Sequence, residues 1–283
     1  MEKKMKDTVL KPEDYAEPNC PLCDEPYGKV PECRPVPQKR IIEKMDEYMS
    51  RKDYAGAERH LLYWLEEARL GYDLRGQLML RNELVGHYRK TGNQEKAFEN
   101  GEEALRLLEE LDFEGTISSG TTYVNYATAL NAFGENEKSM ELFEKARRVY
   151  ESAPNTDPSL LGGLYNNMAL TCAALKRFAD AGAFYDRAMD MMKTVPGGEL
   201  EQAITCLNRA NAIEEEQGLE AGEHAIFDLL DQAYDLLKQP HPDVQDGYAA
   251  FVFEKCAPTF SYYGYFMAAQ ELEKEAERLY AGN

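Results

Sequence analysis

The chain of 283 residues carries 51 acidic against 32 basic side chains, a net charge of −19, so it lacks the basic footprint that nucleic acid or an anionic membrane needs in a partner. Its 43% hydrophobic content supplies a core, and its 29% charged content suits a solvated helical surface. No run reaches the length of a membrane span, MEKKMKDTVLKPEDY has no apolar signal region, and six cysteines in so large a chain do not read as a secreted disulfide framework, so a cytoplasmic protein is expected.

Residues 1–37 come first. Seven of the 13 prolines fall between positions 12 and 37. Proline removes a backbone donor and disfavours helix at the residue before it, so this segment is expected to be irregular. It holds Cys20-Pro21-Leu22-Cys23 followed by Cys33. Two thiolates at that spacing can grip one zinc ion, with Cys33 as a third ligand and Asp24, Glu32 or His60 as a fourth. Free thiols are the alternative. A thioredoxin-like redox role does not fit, because no βαβ pattern surrounds the pair.

From Gln38 onward the pattern is helical, with no convincing strand alternation. Small or compact residues recur at spacings of 12 and then 7: Met45, Ala57, Trp64; Val85, Ala97, Ala104; Ala127, Ser139, Ala146; Ala169, Ala181, Ala188; and Ala257, Ala269, Ala276. Ala210, Ile226 and Ala233 join them if four residues are inserted near Gly218–Gly222. Small side chains at fixed points let two antiparallel helices approach closely, and larger ones such as Leu84, Tyr88, Phe143, Phe178 and Tyr185 fill the gaps between. Neither helix of a pair can hide its apolar stripe alone, so neighbouring pairs must supply the other wall. The pattern predicts six helix pairs, in repeats at about 38–77, 78–119, 120–161, 162–202, 203–249 and 250–283. Gly92, Gly134 and Gly264 suit left-handed caps in the turns.

These triplets resemble the tetratricopeptide repeat, over roughly residues 38–283. The 42-residue period, the stretch DPSLLGGLYNNMALTCAALKRFADAGAFYDRAMDMM and the HPDV at 241–244 are similar to the kinesin-light-chain type of repeat. The resemblance implies an all-α, right-handed superhelix, with the first helix of each pair on the concave wall. It also implies that HPDV opens a helix. Departures are Trp64 at a small position, Gly101 where an aromatic is usual, and the insertion in the fifth repeat.

With the first small residue of each repeat numbered 8, position 6 holds Glu43, Glu83, Asn125, Asn167, Asn208 and Lys255. Position 5 adds Asn82 and Asn166, position 9 adds Asn211, and position 12 adds Arg89, Asn131 and Glu214. An asparagine amide offers an acceptor and two donors, so a row of them can bond the backbone of an extended peptide. Such a ladder is what the resemblance implies. The predicted partner site is therefore Asn82, Asn125, Asn166, Asn167, Asn208, Asn211 and Lys255, with a protein or extended, basic peptide as partner. The alternative is that the amides bond between repeats and order the stack.

Other constellations are weaker. Cys172, Cys206 and Cys256 sit at packing positions and read as core. Glu83 and His87 share one helical face, with no third ligand placed by the pattern. Pro258 is expected to kink or shift its helix. The aromatics of 251–266 read as a cap over the last repeat or as an exposed patch. There is no phosphate loop and no nucleophile elbow, so neither catalysis nor a cofactor beyond zinc is expected. The sequence reads as a binding adaptor or scaffold. The alternatives are a peptide-sensing regulator whose superhelix changes pitch, and a zinc-dependent protein or enzyme.

Overall fold

The computed structural model describes residues 32–281, and these form twelve helices without a strand. They pair as α1 Gln38–Ser50 with α2 Tyr54–Leu70, α3 Leu74–Thr91 with α4 Gln94–Glu110, and α5 Ile117–Ala132 with α6 Asn136–Ser152. The series continues with α7 Pro158–Ala174 and α8 Phe178–Met192, α9 Glu199–Gln217 and α10 Leu219–Leu237, and α11 Asp246–Tyr262 and α12 Phe266–Ala281. From α3 onward the first helices begin about four residues ahead of the repeat frame drawn on the small residues. That frame follows packing contacts, not helix starts. HPDV therefore precedes its helix, which starts at Asp246 after the cap residue Gln245.

Local chemistry sets the ends. Asp53, Asp73 and Asn93 each accept a hydrogen bond from a backbone N–H three residues on, and Thr116 does the same for Ser119. Pro158 opens α7 behind Asp157, where its missing N–H costs nothing. The turn within each pair needs one residue at positive φ. Gly92, Gly134 and Gly264 supply it in repeats 2, 3 and 6, as expected, whereas Lys52 and Lys176 adopt it in repeats 1 and 4. In the fifth pair the four inserted residues lengthen both helices, and Gly218 alone joins them at φ 82°, ψ 159°, a region open essentially to glycine.

Packing follows the triplets. All three residues of repeats 2 to 6 are buried, with Ala97, Ala127, Ser139, Ala146, Ala169, Ala188, Ala210, Ile226 and Ala233 at 0% exposure. The Ser139 hydroxyl is satisfied by donating to the Ala127 carbonyl at 2.8 Å. Repeat 1 differs: Ala57 is buried, but Met45 and Trp64 only partly so, and Ile41 is the one buried residue of α1. At Gly101 the usual aromatic is replaced by one from the next pair. A Cβ there would lie 2.2 Å from the ring of Tyr126, so the ring occupies the space a side chain would need.

First helices touch the next first helix (α3 with α5, α5 with α7, α7 with α9, α9 with α11), whereas second helices make no comparable contact with one another. First helices therefore line the inside of the curve. Pro258 lies within α11, and the helix continues through it to Tyr262. The curvature brings the two ends together: Lys52 of repeat 1 pairs with Glu254 of repeat 6 at 3.1 Å.

Candidate functional site

On the inner wall, the amides at positions 5 and 6 are coupled from one repeat to the next. Asn125 of α5 donates from Nδ2 to Oδ1 of Asn82 on α3 at 3.1 Å. Asn208 of α9 donates to Oδ1 of Asn166 on α7 at 3.2 Å. Asn82 in turn donates to the Leu78 carbonyl and to the Thr122 hydroxyl, both at 3.0 Å. Asn131 reaches the Thr171 hydroxyl of the next repeat at 3.0 Å. Two of the three position-6 asparagines thus bond across a repeat boundary. These bonds belong to the stack, and an amide so engaged keeps only part of its capacity for a ligand.

Asn167 is the third, and it is different. Its repeat follows one whose position 5 is Val124, which offers no acceptor. The Asn167 side chain makes no hydrogen bond among the described residues, and it is partly exposed. It opens onto a cleft of about 660 Å³ lined by Ser159, Gly163, Asn166, Glu201, Tyr248 and Lys255, among others. Three first helices, α7, α9 and α11, face this cleft. Gly163 presents bare backbone there, with nothing within 4 Å of the place a Cβ would occupy. The structure therefore brings Asn166, Asn167 and Lys255 together, with Asn208 behind Asn166.

Asn82 and Asn125 lie at a second, smaller cleft of about 400 Å³, beside Glu83, Arg75 and Phe113. Burial pushes the Glu83 carboxyl up, and Asp46 adds to the shift. Asp46 is itself raised by burial, and burial lowers the Arg89 guanidinium. Arg89 has an exposed surface and is nonetheless partly desolvated, as expected for a side chain inside a concave wall. Asn211 is exposed, and its Oδ1 accepts from the Tyr263 hydroxyl at 3.0 Å. Tyr263 shares that one proton with Glu214, which lies closer at 2.6 Å, and Tyr262 donates to Glu214 at 2.8 Å. Glu214 is thus engaged by its own wall.

Sequence reasoning did not single out Ser159, Gly163, Glu201 or Tyr248. Tyr248 donates to Glu201 across the α9–α11 boundary, and burial, followed by the Glu201 charge, pushes its phenol well up. The signal for these residues was their helical spacing from Asn167 and Lys255: Ser159, Gly163 and Asn167 are four apart on one face, and Tyr248 and Lys255 are seven apart.

Cys20 and Cys23 lie outside the described residues. Cys33 is exposed, and no group of three His, Cys, Asp or Glu among the described residues is placed to hold a metal. Cys172, Cys206 and Cys256 are buried, and burial raises all three thiols, Cys206 to about 11 and Cys256 to about 12. They are neutral packing groups at ordinary pH. His87 is buried, burial lowers its pKa, and its Nδ1 has no hydrogen-bond partner. Of the aromatics in 251–266, Phe253, Phe260 and Tyr263 are core, whereas Phe251, Tyr262 and Phe266 are exposed.

Residues 76–152 match the tetratricopeptide repeat family model. That stretch carries tetratricopeptide repeats. No curated protein matches its sequence. Among solved structures it is similar to BtubC (BKLC) from P. vanneervenii, at 17% identity and a TM-score of 0.47, over 88% of this chain and 92% of that one. It is also similar to a Podosopora anserina protein described as a kinesin light chain with nearly identical TPR-like repeats, at 18% identity and a TM-score of 0.49, over 73% of this chain and 96% of that one. The repeat architecture is that of a protein-interaction scaffold, and no helix among the described residues is long and apolar enough to cross a membrane.

Proposed function

We propose that this protein is a cytoplasmic adaptor that binds an extended peptide segment of a partner protein along the inner wall of its superhelix, centred on the cleft between α7, α9 and α11. One observation carries the reading. Asn167 keeps a free amide at the mouth of that cleft, while its counterparts Asn125 and Asn208 spend theirs on the neighbouring repeat. An extended strand has unpaired N–H and C=O groups, and a free amide can meet both. The bare backbone at Gly163 lets such a strand lie close. The net charge of −19 favours a basic segment through long-range steering.

The test is peptide selection from a random display library, followed by fluorescence anisotropy with the best binder. Asn167→Ala should weaken binding several-fold, the equivalent of one lost hydrogen bond of ~0.5–1.5 kcal/mol, at unchanged folding stability. Equal affinity for wild type and variant would move the site away from this cleft.

A further inference from the structure

Where the first and last repeats meet there is a third cavity, of about 500 Å³. Its walls come from Met49, Ser50, Lys52 and Tyr54 of repeat 1, Lys90 of repeat 2, and Phe251, Glu254, Lys255 and Tyr280 of repeat 6. The ends are held by a small clasp. Lys52 Nζ lies 3.1 Å from Glu254 Oε1, and the Tyr280 hydroxyl donates to Glu254 Oε2 at 3.2 Å. Lys90 Nζ stands 5.5 Å from the centroid of the Tyr54 ring and 5.9 Å from that of Phe251, bridging the two ends by cation–π attraction.

The charge inside this cavity runs against that of the molecule. Three lysines line it and only one carboxylate, although acidic residues outnumber basic ones 51 to 32 in the chain. Glu254 is already committed to Lys52, and the Lys52 hydrogen bond, ahead of the other influences, holds its carboxyl below the usual range. Neither Lys90 nor Lys255 has a carboxylate within ion-pair distance among the described residues. Apart from the Ser50 hydroxyl, the rest of the lining is aromatic or thioether, and Phe251 and Tyr280 keep 44% and 39% of their surface exposed. Two ammonium groups without an ion-pair partner among the described residues, beside exposed rings, form a site for a ligand that is anionic at one end and flat and apolar at the other.

We propose that the seam cavity binds a small phosphate-bearing aromatic molecule, whose anion meets Lys90 and Lys255 and whose ring lies against Phe251 and Tyr280. Because the walls belong to opposite ends of the solenoid, such a ligand staples the ends and holds the superhelix closed. This site is separate from the peptide cleft, sharing with it only Lys255, and it stands whether or not the cleft binds a peptide.

The probe is phenyl phosphate, measured by calorimetry against the full chain, with inorganic phosphate and phenol as its two halves. Phenyl phosphate should bind at least ~tenfold more tightly than either half, since burying a ring and pairing an anion each contribute about one decade. The affinity should fall with added salt. Lys90→Met and Lys255→Met each keep the apolar stem and remove the charge. Each should weaken binding ~tenfold, while Lys39→Met on the exposed face of α1 should leave it unchanged. Hydrogen exchange should slow on both walls at once, in 49–54 and in 251–255. No binding of phenyl phosphate, equal binding of inorganic phosphate, or loss with Lys39→Met to the same extent would each overturn the proposal. Protection confined to one wall would overturn the stapling. Lys255 makes no contact in the clasp, so its variant keeps the test valid even if Lys90→Met opens the ring.

Discussion

Asn125 and Asn208 can be set against Asn167. All three occupy one repeat position, on the same face of a first helix, in three consecutive repeats. The first two are tied to the preceding repeat, and the third is free. The cause lies one repeat back and one residue over. Position 5 is Asn82 before Asn125 and Asn166 before Asn208, but Val124 before Asn167. The same side chain therefore orders the stack at two boundaries and is left for a ligand at the third. A ladder of identical residues is not a ladder of identical roles, because each rung's chemistry is set by the neighbour it meets.

The comparison breaks first under truncation of the paired rungs. Asn208→Ala should cost ~1–3 kcal/mol, because it strands the Oδ1 of Asn166, which is only 8% exposed. Asn125→Ala strands Asn82, which is less buried, and should cost less. Asn167→Ala should change stability by less than ~0.5 kcal/mol. Urea denaturation of the three single variants measures this, and equal costs for all three would erase the distinction.

Supplying the missing partner sharpens it. Val124→Asn should give Asn167 the acceptor it lacks and lower peptide affinity several-fold, the effect of diverting one hydrogen bond of ~0.5–1.5 kcal/mol. A double-mutant cycle with Asn167→Ala reads the coupling directly. Additive effects on stability would mean that the new pair does not form.

The smallest effect concerns the rung before these. Position 6 of repeat 2 is Glu83, and the position 5 before it is Ile42, again without a donor. Burial and then Asp46 raise the folded-state pKa of Glu83 above the ordinary 4.5. The folded chain therefore holds its proton more tightly than the unfolded chain. Stability from this group is greatest below about 4.5, falls as pH rises through the folded pKa, and is lowest above it. Glu83→Gln should raise stability slightly at pH 7 and flatten the slope above pH 4.5. A midpoint with the same pH slope in wild type and variant would place the titration elsewhere.

Much of this was legible in the residues. Ala97, Ala127, Ala169 and Ala181 announced the close helix contacts by spacing alone, because a repeating fold must repeat its tightest points. Gly92, Gly134 and Gly264 announced the turns, since each turn needs a left-handed residue. The inserted residues of repeat 5 were visible as a count, but not as longer α9 and α10. Where an insertion goes depends on whether added turns find surface to bury. The pairing of Asn125 with Asn82 was written in the sequence as position 6 against the preceding position 5, but only the packed first helices show that these positions meet.

The sequence by itself determined the helix pairs and the triplets that repeats 2 to 6 bury, because these follow from local periodicity repeated along the chain, while the face that looks inward was implied by the resemblance to a repeat family. The tertiary structure decided which amides are free and where the two ends of the chain meet. The first depends on contacts between side chains about 42 residues apart. The second depends on a small rotation at every repeat boundary, summed over six pairs, which brings Lys52 to Glu254 across 202 residues.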